Sequence, residues 1–204
     1  MFITFEGGEG AGKSTQAKLL TEALLAAGVP ALCTREPGGA PNAEALRTLL
    51  LDRHGAWTLL AEVLMHFAAR AEHVAATIQP ALDNGLVVVC DRFTDSTMAY
   101  QGYGLGADRS LIRLLTQQVP VRPDLTLVLW TLPETASERL ARRQQSTDRY
   151  EAMNGGFHAR VRQGFTEIAA AEPARCVVIP GDGDVNEVHR AVRRVVSTRC
   201  ALLS

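Results

Sequence analysis

The feature that most narrows what this chain can become lies in its first fourteen residues. An apolar run, Phe2 to Phe5, ends at Glu6 and gives way to Gly7-Gly8-Glu9-Gly10-Ala11-Gly12-Lys13-Ser14, which fits the pattern GxxxxGK[ST]. Glycines at this spacing let successive backbone N–H groups curl around an anion without side-chain interference. Lys13 would then reach the β and γ oxygens of a bound triphosphate, and the hydroxyl of Ser14, followed by Thr15, is placed for Mg²⁺. Leu19, Leu20, Ala23, Leu24 and Ala27 follow at helical spacing. They predict a helix from Lys13 to about Ala27 whose N-terminal dipole points at the same anion. A glycine-rich turn without a ligand is the competing reading. The strand before it and the helix after it argue against that.

The rest of the chain alternates in the same way. Strands are predicted at Pro30 to Thr34, Leu86 to Asp91, Leu125 to Trp130 and Cys176 to Ile179. Helices are predicted at Ala43 to Leu51, at about Leu59 to Leu82 (long or broken), at Arg109 to Val119, from Pro133, up to Ala171, and at Val185 to Val196. LVVVCD and LTLVLW are continuous apolar runs, as expected of central strands covered on both faces. The order implies an α/β fold with a parallel sheet of about five strands, flanked by helices and joined by right-handed crossovers. Ligands of such sheets bind beyond the carboxyl ends of the strands. The Gly-rich turn, the loop Arg35-Glu36-Pro37-Gly38-Gly39 and Asp91-Arg92 each follow a strand, so they should meet at one edge.

Bulk properties exclude several classes. At 204 residues and 47% hydrophobic content, the chain suits one domain with a full core. A formal net charge of -1 provides no general field for nucleic acid or a membrane surface. No apolar run approaches the roughly 18 residues of a membrane span. Cys33, Cys90, Cys176 and Cys200 form no CxxC or zinc-like spacing, and read as reduced and mostly buried thiols. With no signal-peptide pattern at the N-terminus, the expected compartment is the cytoplasm.

A phosphate cradle alone implies a nucleotide, not a reaction. Arg35 and Arg92 are guanidinium groups outside the cradle, and their planar forks suit a second phosphorylated molecule. Asp91 suits a Mg²⁺-bound water. His66 and Phe67 lie four and three residues before Arg70, so each shares a helix face with it. An aromatic beside an Arg can stack on a base while the Arg bonds its edge, although core packing is the plainer reading of Phe67. Arg139, Arg142, Arg143 and Arg149 crowd a polar break at Gln144 to Asp148. They form either a solvated face or a flap that closes over phosphates.

FEGGEGAGKST, TREPGG, LMHFAARAEH, DRFTDSTMAYQG, RPDLTLVL and DRYE, in that order, resemble the bacterial thymidylate kinases over nearly the whole chain. The resemblance implies a P-loop kinase fold with a lid at about residues 142–151. It implies transfer of the ATP γ-phosphate to dTMP, with Mg²⁺, in a cytoplasmic homodimer that binds neither nucleic acid nor membrane. Residues 7–15 then hold ATP. Glu9 lies near the sugar 3′-hydroxyl, and Arg35 and Arg92 hold the acceptor phosphate. Arg70 bonds the thymine edge, helped by Thr97 and Gln101, with Ser96 in the same segment. Tyr100 lies against the deoxyribose and disfavours a 2′-hydroxyl. Ser14 and Asp91 form the metal neighbourhood.

Some family members carry an Arg where this chain has Gly10. Here the catalytic Arg is expected from the lid, Arg149 first and Arg143 second. Family members often have an aromatic at the place of His66, so either His66 or Phe67 stacks on the base. Lys13, Arg92, the lid Arg and Glu9 complete the expected catalytic set. Two alternatives stand beside this reading. One is another P-loop nucleotide or deoxynucleoside kinase; a nucleoside acceptor would need a general base, from Glu9 or Asp91. A nucleotide-dependent switch reading guanine would carry Asn-Lys-x-Asp, which does not occur in this sequence.

Overall fold

The computed structural model describes residues 1–142 and 148–203. Five strands, β1 (Phe2–Glu6), β2 (Ala31–Arg35), β3 (Val87–Asp91), β4 (Leu125–Trp130) and β5 (Cys176–Pro180), form one sheet in the order β2-β3-β1-β4-β5. Every pairing is parallel. β1 and β3 are buried along their whole length, and β4 along all but Trp130. Such uninterrupted apolar runs are what a strand covered on both faces requires.

Helices cover both faces. α1 (Lys13–Ala26) and α9 (Val185–Cys200) pack together on one side, where Ile3, Phe5, Leu20, Leu24, Leu127, Val192 and Val196 form the main core. On the other side lie α3 (Leu59–His73) and α8 (Gly155–Ala171), over clusters that include Phe2, Ile78 and Phe93 and, farther along, Tyr100, Phe157 and Phe165. α2 (Pro41–Leu51) packs against α3. α6 (Arg109–Gln117) and α7 (Pro133–Arg142) complete the outer layer.

Two segments depart from the sequence expectation. The long helix expected to Leu82 is interrupted: a π-helical turn, Val74–Ile78, separates α3 from α4 (Gln79–Asp83). Pro80 sits at the start of α4. It has no N–H to give and its ring crowds the preceding turn, and a widened turn accommodates both. Thr94 to Gly104, not expected to be helical, forms a short α5 (Thr94–Thr97) continuing into a π-helical turn, Met98–Gly104. Its Thr, Ser and Gly content hides it from any periodicity search, and packing against α8 holds it. The contact is close: a Cβ on Gly104 would lie 2.6 Å from the Phe157 ring. Cys33 also departs from expectation. It is exposed, because β2 is an edge strand.

The strand registers position the site. Arg35 pairs with Asp91, and Asp91 with Phe5, so the three loops leave the sheet side by side. Among the described residues, no helix is long and apolar enough to cross a membrane.

Candidate active site

The turn after β1 is built as a cradle. Gly7, Gly10 and Gly12 have φ of 137°, 72° and 90°, a region closed to most side chains. At Gly10 the space is closed as well, since a Cβ would lie 2.5 Å from the Ala136 carbonyl of α7. A side chain at that position has no room here. α1 starts at Lys13 with Gly12 as its N-cap and no side chain capping it. Its first N–H groups are therefore left for an anion. Lys13 is buried and donates from Nζ to the Gly8 carbonyl at 2.6 Å. Burial, then the nearby Arg92 charge, pulls its pKa down to about 8. The cradle holds a cation that lacks solvent and would gain strongly from a polyphosphate.

Ser14 donates its hydroxyl proton to Asp91 Oδ2, while buried Asp91 Oδ1 has no hydrogen-bond partner among the described residues. Two adjacent hard oxygen donors, one unsatisfied, fit a divalent cation that keeps several waters and bridges phosphates. No cluster of three acidic, His or Cys ligands exists among the described residues.

Arg92 lies on the cradle. It adopts φ 71°, unusual for a residue with a side chain, and its Nη1 donates to the Gly7 carbonyl at 3.1 Å. Nη2 donates to Glu9 Oε1 at 2.6 Å and to the Tyr100 hydroxyl oxygen at 2.9 Å, and the guanidinium sits 4.7 Å from the Tyr100 ring centroid. Burial works against its charge, but Glu9 and further acidic neighbours more than offset it and hold Arg92 protonated. Tyr100 in turn donates to Glu9 at 2.8 Å, and burial lifts its pKa well above the usual range. Arg35 lines the same cleft, half exposed, in an ion pair with Glu44. Five expected residues from three loops, Glu9, Lys13, Arg35, Asp91 and Arg92, thus border one cleft.

The cleft ends in a pocket with polar walls. Arg70 is buried, giving Nε to Glu36 at 2.8 Å and Nη2 to the Phe93 carbonyl and the Thr97 hydroxyl. Its Nη1 is buried without a hydrogen-bond partner among the described residues. Ser96, Thr97, Tyr100 and Gln101 line the same space. Of the two stacking candidates, His66 lines the cleft and Phe67 does not. Phe67 packs with Val63, Ala107 and Ile112, a correction to the expectation that it could cover a base. The helix turns by about 100° per residue, so neighbours 66 and 67 cannot both face the cleft squarely. Burial, with Arg70 and Arg149 nearby, drops the His66 pKa to about 3, so its ring is neutral.

The expected lid is described only in part. Arg143 lies outside the described residues. Arg149 Nη1 stands 2.8 Å from Glu62 Oε2, and Arg149 is not among the residues lining the cleft beside the Gly-rich turn. In this conformation it is parked in an ion pair. The described lid-side arginine beside the cradle is Arg139. It donates to the Gly183 carbonyl at 3.0 Å and borders a second cleft with Gly10, Gly12, Thr15 and Gln16 on the far side of the Gly turn. This cleft runs to Gly181 and Asp182 beyond β5.

Four working residues escaped the sequence reading. Glu6 accepts from the Phe93 and Ser96 N–H groups and from the Ser96 hydroxyl, clamping the segment that carries Arg92. Burial and the Asp95 charge push its pKa up to about 8. Phe93 lines the cleft, with Arg70 5.3 Å from its ring centroid. Glu62 and Tyr150 join across the pocket wall at 2.8 Å. The one available signal was a charged residue inside each apolar run: Glu6 closing a buried strand, and Glu62 amid LLAEVLM.

Comparisons with known proteins agree on one group. The family model described as Thymidylate kinase matches residues 5–192. A thymidylate kinase of Gluconobacter oxydans is 52% identical over 179 residues, covering 86% of this chain and 84% of that protein. One from Caulobacter vibrioides is 47% identical and covers 98% of both chains. The crystal structure of thymidylate kinase from Ehrlichia chaffeensis superposes with a TM-score of 0.79 at 41% identity, covering 97% of this chain and 98% of that one.

Proposed function

This chain belongs to the thymidylate kinase family, and on that premise we propose how its own residues carry ATP-dependent phosphorylation of dTMP to dTDP. The observation that carries the reading is Arg92, whose guanidinium touches both the Gly7 carbonyl and Glu9. It puts an acceptor-phosphate ligand within the span of the donor cradle. The polyphosphate of ATP lies in residues 7–15, with its base toward the cleft bordered by Arg139 and Gly181. Arg92 and Arg35 hold the dTMP phosphate. Arg70, Thr97 and Gln101 read the base, His66 covers it, and Tyr100 and Glu9 face the sugar.

Phosphoryl transfer asks for positioning and charge neutralisation more than for covalent chemistry. The acceptor is already an anionic phosphate oxygen, so no strong base is needed, consistent with a neutral His66. Lys13 stabilises negative charge as it spreads over the moving group. Ser14 and Asp91 would hold Mg²⁺, which supplies further neutralisation when bound. A lid arginine completes the set. Arg149 would leave Glu62 to do so only after the acceptor is seated, which makes lid closure part of the cycle and excludes water from the γ-phosphate.

We also propose that residues 1–204 act as one kinase domain with a lid at about 142–151, in the cytoplasm. The homodimer of the resemblance would form through α2, α3 and α6, whose exposed Leu49, Leu60, Leu64 and Leu114 lack a cover. Light scattering on the purified protein checks that mass. The function is tested by a coupled ATP-consumption assay across nucleosides and nucleoside monophosphates. Turnover with dTMP and none with thymidine is the expected result. Phosphorylation of a nucleoside, or slow hydrolysis indifferent to any acceptor, overturns the assignment.

A further inference from the structure

In the proposed reaction one fully buried carboxylate serves only as the resting partner of Arg149. Glu62, on α3, has no exposed surface. Its Oε1 accepts from Gln101 Nε2 at 3.0 Å and from the Tyr150 hydroxyl at 2.8 Å. Its Oε2 faces Arg149 Nη1 at 2.8 Å, as an ion pair and not an aligned hydrogen bond.

These contacts fix where protons sit. A carboxylate paired with Arg accepts and does not donate. Tyr150 must therefore turn its hydroxyl proton toward Glu62. Its oxygen is then an acceptor, and it receives Gln101 Nε2 and His66 Nε2, each at 3.1 Å. The Gln101 amide cannot be reversed, because its carbonyl would then face two acceptor oxygens. Gln101 Oε1 is the end left over, on a side chain that lines the acceptor cleft. The same cleft is lined by Arg70, whose unpartnered Nη1 is a donor.

We infer that Glu62 sets the hydrogen-bond polarity of the acceptor cleft, and through Gln101 makes it select a keto pyrimidine over an amino pyrimidine. The inference rests on the assignment of this cleft to the dTMP base. Thymine presents an N3–H donor beside a 4-keto acceptor, matching one acceptor and one donor on the wall. Cytosine presents an N3 acceptor beside an amino donor, so each wall group would meet its own kind. Buried groups left unpaired in this way are the strongest source of substrate rejection. Glu62 is a positioning residue: it touches no substrate and acts by holding Gln101, Tyr150 and His66 in one proton arrangement.

The test is Glu62→Gln. Arg149 still demands an acceptor on its side, so the new amide turns its carbonyl there and its NH₂ toward Gln101 and Tyr150. Gln101 then reverses and offers N–H to the base. The kcat/KM preference for dTMP over dCMP should fall by about tenfold to a hundredfold. The change should be carried mainly by the two acceptor KM values, with the KM for ATP unchanged. A folded E62Q that keeps the wild-type preference overturns the inference. Should E62Q fail to fold, Glu62→Asp decides: it keeps an acceptor-only group at shorter reach, so dTMP should bind more weakly with dCMP still refused. Acceptance of dCMP by E62D overturns the inference. A wild-type protein inactive on dTMP overturns the substrate assignment and this inference together. Normal wild-type turnover with an unaltered E62Q preference overturns only the role of Glu62.

Discussion

In the proposed reaction the two halves of the cleft hold phosphate by opposite means. The donor cradle uses backbone: an uncapped helix start, three glycines in left-handed conformations, and one desolvated Lys. Its groups are poorly paired within the protein and wait for an anion. The acceptor half uses side chains that are already bonded to one another, with Arg92 on Glu9 and Tyr100, and Arg70 on Glu36 and Thr97. A cradle of backbone accepts any polyphosphate of the right length. A network of committed side chains leaves only a few bonding positions open, and these define the substrate. Generality therefore resides in the donor half and selectivity in the acceptor half.

The largest effect expected from this contrast is on turnover. Lys13→Ala should lower kcat by roughly 10²-fold or more, the scale of losing one electrostatic stabiliser in a dry site. Binding of dTMP, followed by calorimetry, should be nearly unaffected. A near-normal steady-state rate would break the donor half of the comparison. Next is Arg70→Ala, which should raise the dTMP KM by about tenfold to a hundredfold, since it removes a charged hydrogen-bond donor and leaves buried Glu36 with His73 as its remaining partner. The ATP KM should stay within about twofold of wild type on the additivity expected of separate sites. An unchanged acceptor KM would leave the acceptor half without its reader.

A smaller effect concerns pH. Lys13 has a pKa lowered to about 8, so its cation is present below that pH and lost above it. A bound polyphosphate favours the charged form. ATP affinity should therefore weaken as pH rises past 8, by up to about tenfold per unit. Arg92 stays protonated over this range, so titrations with dTMP should not show the Lys13 step. ATP affinity that is flat from pH 7 to 9.5 would contradict the picture of a desolvated Lys.

The smallest effect is on stability in acid. His66 has its pKa lowered to about 3 in the fold, against 6.5 in the unfolded chain. Its contribution is complete above pH 6.5 and is lost as pH falls toward 3, because the unfolded state takes up the proton first. Between pH 6.5 and 5 the loss should approach about 2 kcal/mol. Denaturant midpoints for wild type and His66→Asn should converge as pH falls. Parallel curves would mean that the ring is not held neutral.

What the sequence settled by itself was everything written in contiguous residues. Gly7 to Ser14 specifies a cradle because its function needs only consecutive backbone groups, and β1, β3 and β4 declare themselves through unbroken apolar runs. The meeting of Arg35, Asp91 and Arg92 was also legible, since parallel strands must deliver their following loops to one edge. The tertiary structure alone decided the strand order β2-β3-β1-β4-β5, the helix from Thr94 through Gly104, and the choice of His66 over Phe67 at the cleft. It also decided that Glu62, Tyr150 and Gln101 share protons, although they lie 39 to 88 residues apart in the chain. Local patterns report which face of an element is apolar. They carry no record of which distant polar group a buried side chain must satisfy, because that requirement arises only once water has been excluded from between them.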